Sequence, residues 1–392
     1  MNKFVTIDVS AEAAQMGAAL AGNQGINPQE FLMMLEQNSM RPFIPDEDPF
    51  AMCVSIPTGA FNDDGTPVMR TVRTGNATAT TLLRGDWEKI DAEVYGVALG
   101  RMNLMNLFVG AGLTIPLDGM GVTRYTWQRM GKMGKARLDM DMLSTTEKDR
   151  MEFDTQSLPV PIISSGWDVN MRYLAETRKM GRPIDTIQAY WAAMAVTIKA
   201  EDILVNGAGT FKADGGTIYG LRNTPIAQTA TITTDWTDDA VTGKDIVEEV
   251  ASWVSQLRAK KHYGPYVLIL PDRYSHKLSL DYKDQSEKSI MARLLEKESD
   301  QITLNISRIE FTEQITDDAT DSTKYSNEAY LVELNKATVA IVDGMPMTDF
   351  QWAVKGPMVT EHKVAMIRVP LFRNDMEGQS GMLRAKGTST AK

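Results

Sequence analysis

The sequence is poor in the residues on which most catalytic and metal sites depend. It contains one cysteine, Cys53, and three histidines among 392 residues. A single cysteine excludes an internal disulfide and any zinc or iron–sulfur site built from several cysteines. Cys53 lies in the apolar stretch Met52-Cys53-Val54, which favours an inert buried thiol over a reactive one. Composition alone therefore disfavours an enzyme.

Long apolar runs are also missing. The longest apolar-rich stretch, 187–198, is too short to cross a bilayer, because a spanning helix needs about 20 residues. Asp8 and Glu12 interrupt the N-terminus, so no signal peptide is predicted.

The net charge of −10 argues against a basic nucleic-acid binder, and 43% hydrophobic residues are typical of a folded chain. We expect a protein made in a reducing cytoplasm, with no membrane partner.

No motif for catalysis or nucleotide binding is complete. Gly110-Ala111-Gly112 lacks the third glycine of the dinucleotide fingerprint, and Gly378-Gln379-Ser380-Gly381 lacks the spacing of a serine elbow. His262 follows two lysines at a predicted helix end, where a cation suits the terminal carbonyls. His276 and His362 are isolated, and we expect both at the surface. The sequence thus predicts no catalytic residue, no cofactor-binding residue and no metal ligand.

Residues 1–83 are predicted to form an extended arm. A short helix is expected from Asn27 to Gln37, and five prolines follow between Pro42 and Pro67. This spacing of prolines predicts that long regular elements are absent. Such an arm buries too little apolar surface by itself to offset its chain entropy, so it needs another surface to lie on.

Two helices carry apolar residues at three- and four-residue steps. The first is predicted over 84–112, and its stripe consists of Trp87, Ile90, Val94, Ala98, Met102 and Met105. The second is predicted over 183–206, and its stripe consists of Ile184, Ile187, Trp191, Met194 and Ile198, with alanines filling between them. Glycines at 110 and 112 end the first helix, and Asn206-Gly207 ends the second.

Between these helices the pattern changes to a period of two, which predicts a long two-stranded finger. Tyr125 and Trp127 share one face of its first strand, and Leu138, Met140 and Met142 alternate with acids in its second. Two strands alone are marginally stable in water, so the finger should lie on something else.

The charge of the finger is one-sided. Five basic residues and no acid occur between Gly119 and Arg137, whereas residues 1–100 carry 13 acids and 6 bases. We interpret the finger as a basic element that crosses an acidic surface of a neighbouring copy; the alternative is a solvated hairpin. The predicted assembly contacts are Trp87, Arg124, Tyr125, Trp127, Arg129, Lys132, Lys135 and Arg137.

The remaining elements are interleaved helices and strands. Thr242, with Asp245 three residues later, predicts a capped helix. The unbroken apolar run Tyr266–Leu270, closed by Pro271, predicts a central strand covered on both faces. Tyr330–Leu334 and Val339–Val342 are predicted to form a short hairpin. This order indicates an α+β fold.

The order of several short motifs resembles that of a known family. In chain order they are Trp87-Glu88-Lys89-Ile90-Asp91, Leu158-Pro159-Val160-Pro161, Ala200-Glu201-Asp202-Ile203-Leu204-Val205-Asn206-Gly207, Tyr219-Gly220-Leu221-Arg222-Asn223 and Gly264-Pro265-Tyr266-Val267-Leu268-Ile269-Leu270-Pro271. Over about residues 84–385 the sequence resembles the major capsid protein of tailed bacteriophages, which has the Hong Kong ninety-seven fold, and especially its encapsulin-like branch.

This resemblance implies a division of the chain into functional segments. The implied segments are an N-terminal arm (1–83), an N-terminal helix (84–112), an extended E-loop hairpin (113–165), a peripheral domain (166–242) with a long spine helix (183–206), an axial domain (243–344), and a return to the peripheral domain with a C-terminal tail (345–392).

The resemblance also implies a function. It implies a structural, non-enzymatic capsid protein that assembles as hexamers and pentamers into the icosahedral head of a tailed phage. Implied partners are further copies of the chain, double-stranded DNA bound without sequence specificity, and portal, scaffold or decoration proteins. Assembly would occur in the cytoplasm of a bacterial host, and the product would be the virion.

Two alternatives remain open from the sequence. An encapsulin-type nanocompartment shell is the first, although an arm of about 83 residues before Trp87 is a departure from encapsulins and favours a virion. The second is a soluble enzyme that uses an unrecognised pair of carboxylates.

Overall fold

The computed structural model describes the chain in a series of ranges. These are residues 43–45, 51–61, 67–76, 82–83, 86–87, 90, 94, 102–117, 119–130, 138, 140, 153–179, 187–213, 216–238, 240–283, 288–296, 304–315, 317–318, 323–353, 359–374 and 378–391. The predicted helix after Asn27 lies outside the described residues, as do Lys132, Lys135 and Arg137.

The described residues form helices and strands in a mixed order. The strands are β1 (Ala51–Phe61), β2 (Pro67–Asn76), β3 (Thr114–Pro116), β4 (Arg124–Met130), β5 (Phe153–Pro159), β6 (Ile163–Asn170), β7 (Ala208–Ala213), β8 (Gly216–Ile218), β9 (Gln228–Thr231), β10 (Tyr266–Pro271), β11 (Ile306–Thr312), β12 (Lys324–Tyr325), β13 (Glu328–Glu333), β14 (Val339–Ala353), β15 (Val359–Phe372), β16 (Met382–Lys386) and β17 (Thr390–Ala391). The helices are α1 (Asn103–Gly110), α2 (Met171–Lys179), α3 (Ile187–Asn206), α4 (Gly243–Ala259), α5 (Ser275–Ser279) and α6 (Ile290–Leu295).

The chain divides into two compact units. Unit 1 comprises Met1–Arg101, Ile162–Thr197 and Met345–Met366, and unit 2 comprises Met102–Pro161, Ile198–Gly344 and Ile367–Lys392. Within the ranges described, no helix is both long and apolar enough to cross a lipid bilayer.

Unit 1 contains an antiparallel hairpin of β1 and β2 within the predicted arm. The prediction that prolines exclude long elements there is wrong, because the two strands have 11 and 10 residues. The register shifts between Pro57 and Phe61, so the ladder is irregular next to the proline, which has no N–H to donate. Upstream, Phe43 and Cys53 exchange two backbone hydrogen bonds of 2.9 Å.

The predicted helix over 84–112 is confirmed at some positions and wrong at one. Trp87, Ile90 and Val94 are helical and buried, as their spacing predicts. Met102 is not helical; it is the N-cap of α1, which begins at Asn103 and ends at the predicted glycine, Gly110.

Unit 2 is built on a mixed five-stranded sheet with the order β11-β10-β13-β16-β9. All six residues of β10 are buried, which confirms the predicted central strand. Helix α4 begins with the predicted capping box, in which Thr242 and Asp245 bond reciprocally. Its Trp253 stacks on Trp236 with the ring centroids 5.7 Å apart, in the core between the helix and the sheet.

The predicted hairpin over 330–342 is wrong. Strand β13 pairs with β10 on one side and β16 on the other, so neither of its edges is available to β14. Strand β14 instead pairs in parallel with β3, with Ile341 opposite Thr114. The Asn335–Thr338 turn therefore connects strands of two different sheets.

Candidate assembly surfaces

The base of the finger is an antiparallel pair of β4 and β5, with Tyr125 opposite Leu158 and Trp127 opposite Gln156. The predicted second strand is wrong at Leu138 and Met140, because both lie outside any strand and their side chains are fully exposed. The strand that pairs with β4 comes later in the chain than the alternating pattern indicated.

Arg373 fixes the aromatic face of this hairpin. The Tyr125 and Trp127 rings stack with centroids 5.9 Å apart and an angle of 20° between their planes. The Arg373 guanidinium lies 5.9 Å from the Tyr125 ring and 5.8 Å from the Trp127 ring, and it donates a hydrogen bond of 3.1 Å to the Tyr125 hydroxyl. Cation–π contacts of this kind hold the base of the hairpin to the residue that follows β15.

The basic residues of β4 lie at the surface. Arg124 and Arg129 are both exposed. Arg129 faces Asp154 across the hairpin at 3.9 Å, and both side chains of this pair are about half exposed. An exposed ion pair at that distance contributes little to stability, so the positive charge of Arg129 remains available to another molecule.

Helix α3 presents part of its predicted apolar stripe to solvent, whereas Met194 is half-buried and Ile184 lies outside the described residues. The exposed fractions are 62% for Ile187, 63% for Trp191 and 48% for Ile198. These residues lie on one face, since four- and seven-residue steps return to the same side of a helix. The opposite face is buried and consists mainly of small residues: Ala189, Ala192, Ala193, Val196 and Ala200.

Small side chains explain why the alanine-rich face of α3 is the buried one. Alanines let a helix approach its neighbours closely, whereas the larger isoleucine and tryptophan side chains remain on the outer face. Clustered large apolar residues on the surface mark sites where another surface binds. We therefore define the exposed stripe as Ile187, Trp191 and Ile198. The spacing of the apolar residues predicts the stripe but does not show which way it faces.

The end of α3 carries a buried carboxylate. Glu201 accepts a hydrogen bond of 3.0 Å from the backbone N–H of Met105, in the first turn of α1, so it caps that helix from a distant part of the chain. Burial raises the pKa of Glu201 to about 7, with a smaller contribution from the charge of Glu310. This contact explains why a new helix begins at Asn103.

Two glycines allow the chain to cross itself just after α3. Gly207 has a φ of 73°, a conformation that suits glycine. A Cβ added to Gly220 would lie 2.3 Å from the Gly207 nitrogen, so a side chain cannot fit there. Two of the motifs that resemble the capsid family are therefore in direct contact.

The same crossing places Arg222 in a buried ion cluster. Its Nε lies 3.1 Å from Glu328 Oε2, and Arg384 lies 3.0 Å from the other oxygen of the same carboxylate. Tyr330 also donates a hydrogen bond to Glu328. Hydrogen bonds and the two guanidinium charges outweigh burial and hold the pKa of Glu328 below its usual value. The cluster joins the end of α3 to β13 and β16, since Arg222 also donates to Asn206.

Two of the histidines have buried carboxylate partners. His262 follows α4, as expected, and its Nδ1 lies 2.7 Å from Glu333 Oε2. The prediction that His362 is exposed is wrong: it is 1% exposed, and its Nδ1 lies 3.1 Å from Asp349 Oδ2. Its ring stacks on Trp167 with centroids 5.0 Å apart. His276 is exposed, as predicted.

Trp87, a predicted assembly contact, is buried inside unit 1 with its ring centroid 6.0 Å from that of His362. Tyr125 and Trp127 are half-buried at the hairpin base. The structure thus brings Tyr125, Trp127 and Arg129 together on one hairpin face and holds Trp87 in a separate cluster.

Among the described residues, no three histidine, cysteine, aspartate or glutamate side chains are grouped as a metal site.

Comparison with solved structures identifies the fold. The chain is similar to the capsid protein in the capsid of Myoviridae phage XM1, with 16% identity, a TM-score of 0.52, and coverage of 72% of this chain and 91% of that one. It is also similar to the virus-like particle of Pyrococcus furiosus, with 14% identity, a TM-score of 0.51, and coverage of 76% and 99%. The predicted α+β capsid fold is thus confirmed.

Comparison with sequences identifies the family. None of the curated protein sequences matches this chain. A model described as a family of unknown function (DUF6260) matches residues 76–385. Because this match spans most of the 392 residues, the chain belongs to the DUF6260 family.

Proposed function

We propose that this protein is a structural shell protein that assembles with copies of itself into the icosahedral head of a tailed bacteriophage. The observation that carries the proposal is the fold, which is shared with a phage capsid protein over 91% of that chain. Since one fold can serve several functions, the surfaces of this chain supply the independent support.

Two of those surfaces suit assembly. The exposed stripe on α3 leaves three large apolar side chains in water, and burying them against another copy would stabilise an assembly by about 25 cal/mol for each Å² of apolar area. The hairpin base carries exposed arginines on a chain of net charge −10, so an acidic surface of a neighbouring copy is a complementary partner. In a shell, the apolar stripe would be buried between copies and the arginines would pair with acidic groups of a neighbouring copy.

The proposed assembly consists of hexamers and pentamers formed in the cytoplasm of a bacterial host. Double-stranded DNA would fill the finished virion without sequence-specific contacts, which fits the acidic chain because phosphates are repelled. Portal, scaffold and decoration proteins are further proposed partners. No catalytic step is part of this function.

Expression of the full chain followed by sedimentation and electron cryomicroscopy tests the proposal. We expect closed icosahedral particles that are far larger than a 43.4 kDa chain. A folded species that remains monomeric or dimeric at high concentration would contradict the proposal and would favour the alternative of a soluble enzyme.

An encapsulin-type compartment is the second candidate. It is favoured by the similarity to the virus-like particle of Pyrococcus furiosus, whose chain is covered over 99% of its length. Particles purified from cells that carry the complete phage genome separate the two functions. Heads that contain double-stranded DNA support the virion, whereas small shells that contain protein cargo and no nucleic acid support the compartment.

A further inference from the structure

A pocket of about 370 Å³ lies beside the hairpin base, entirely within unit 2. Its walls are β4 and β5, the residues around β8, the segment 224–226 and the end of β15. Trp127 and Tyr219 supply aromatic surface, and Tyr219 is exposed. The volume is large enough for a few side chains of a peptide and small for a folded domain.

The charge of this pocket has one sign. Arg129 and Arg373 line it, and none of its lining residues is an aspartate or glutamate. The nearest carboxylate opposite Arg129 is that of Asp154, at 3.9 Å, and it also accepts a hydrogen bond from Gln156. Arg373 donates to a neutral hydroxyl, that of Tyr125. The pocket therefore favours an acidic ligand that also carries an aromatic or apolar group.

The chain itself contains a segment with those properties. Residues 45–50 read Pro-Asp-Glu-Asp-Pro-Phe, in which one proline separates three consecutive acids from a phenylalanine. Two residues that flank this segment are held together, because Phe43 and Cys53 exchange two backbone hydrogen bonds and are both buried. A segment with tethered ends loses less entropy on binding than a free chain does.

We propose that the hairpin pocket of one copy binds the acidic segment 46–50 of a second copy. Arg129 and Arg373 would face its carboxylates, and Trp127 and Tyr219 would face Phe50. The other acidic pair in the predicted arm, Asp63-Asp64, has one acid fewer and is the less complementary ligand. The inference rests on the proposed function, since it names the contact that one shell subunit makes with the next.

A cysteine cross-link in the full chain tests the contact directly. Glu47→Cys is combined with Thr155→Cys, because Thr155 lines the pocket and is exposed. The native Cys53 is buried. A matched control combines Glu47→Cys with Ser255→Cys, which is exposed on α4 outside the pocket. After mild oxidation of assembled protein, we expect covalent multimers on a non-reducing gel for the first pair and monomers for the control.

Each other result has a defined meaning. A fast-migrating monomer with an internal cross-link would show that the pocket binds the segment of its own chain, which would contradict binding by a second copy. Normal shells without a cross-link would overturn the contact while leaving the proposed function intact. If the unmodified chain forms no shells at all, the proposed function fails, and the contact between copies fails with it.

Charge exchange provides a second test that does not depend on cysteine geometry. Arg129→Glu, or the triple change Asp46→Lys, Glu47→Lys and Asp48→Lys, should each lower the shell yield about tenfold, and combining them should restore part of it. Asp63→Asn with Asp64→Asn is the control and should leave the yield unchanged. Lack of rescue, together with binding of short oligodeoxythymidine that Arg129→Glu abolishes, would assign the pocket to nucleic acid and overturn the proposal.

Discussion

Glu201 couples two distant parts of unit 2 through one ionisable group. Its carboxylate caps α1 from the end of α3, and burial holds its pKa at about 7. A raised pKa in an acid means that the folded state binds the proton more tightly than the unfolded chain does. The contribution of Glu201 to stability is therefore complete below about pH 4.5 and is lost as the pH rises towards 7.

Glu201→Gln should remove this pH dependence. Between pH 4.5 and 8 we expect the free energy of unfolding of the unmodified chain to fall relative to the variant by about 3 kcal/mol. Glutamine keeps an oxygen that can accept the hydrogen bond from Met105. Urea denaturation of unassembled protein at several pH values measures the difference, and parallel curves for the two proteins would contradict the assignment.

Gly220 is a second single residue on which the fold depends. Gly220→Ala should destabilise the chain by about 3 kcal/mol, since the added carbon would overlap the Gly207 backbone. Gly209→Ala is a matched control, because an added carbon there meets nothing within 4 Å. Equal urea midpoints for the two variants would show that the crossing of the chain tolerates a side chain.

At the scale of single elements, helix α3 combines a buried alanine face with the exposed stripe. Trp191→Gln should barely change the stability of the unassembled chain, because 63% of the side chain is already exposed. Shell yield should fall about tenfold, as for an aromatic anchor at an interface. Tyr263→Gln is the control, since Tyr263 is equally exposed and lies outside the stripe. Equal losses of yield for the two variants would argue against a specific contact.

Elements with local signals could be predicted from the sequence. The capping box at Thr242 and Asp245, the buried strand β10 and the end of α3 at Asn206 are determined by residues close in the chain. Each of these features depends on residues that are close together in the chain, so the local sequence is enough to predict it.

Elements with distant partners were predicted less well. The break at Met102 depends on Glu201, which lies about a hundred residues later in the chain. The outward orientation of Trp191 depends on which face of α3 fits closely against the buried core. Of the predicted site residues, Tyr125, Trp127 and Arg129 share a surface. Arg373, which contacts the two aromatic rings, carries no local sequence signal of its own.

At the scale of the whole molecule, the predicted arm is anchored at defined points. Phe43 pairs with Cys53, and Ile44 forms a bridge with Leu83. Phe43 and Ile44 are both buried. Residues 1–42 precede these anchors, so removing them leaves both contacts in place.

Deletion of residues 1–42 should leave a folded chain, because Phe43 and Ile44 are retained. We expect the resulting shells to lose heat resistance, since an arm that lies on a neighbouring copy adds interface area in every subunit. Differential scanning calorimetry of truncated and full-length shells measures the change. Identical melting temperatures would mean that these residues do not stabilise the assembly.

The burial of Cys53 has a practical consequence. Cys53 is 3% exposed, and its backbone is paired with Phe43 at the start of β1. Chemical labelling requires access to the sulfur, so a maleimide dye should modify this strand at the rate at which it transiently opens. The native Cys53 can thus report local opening of this strand in intact particles without an introduced cysteine.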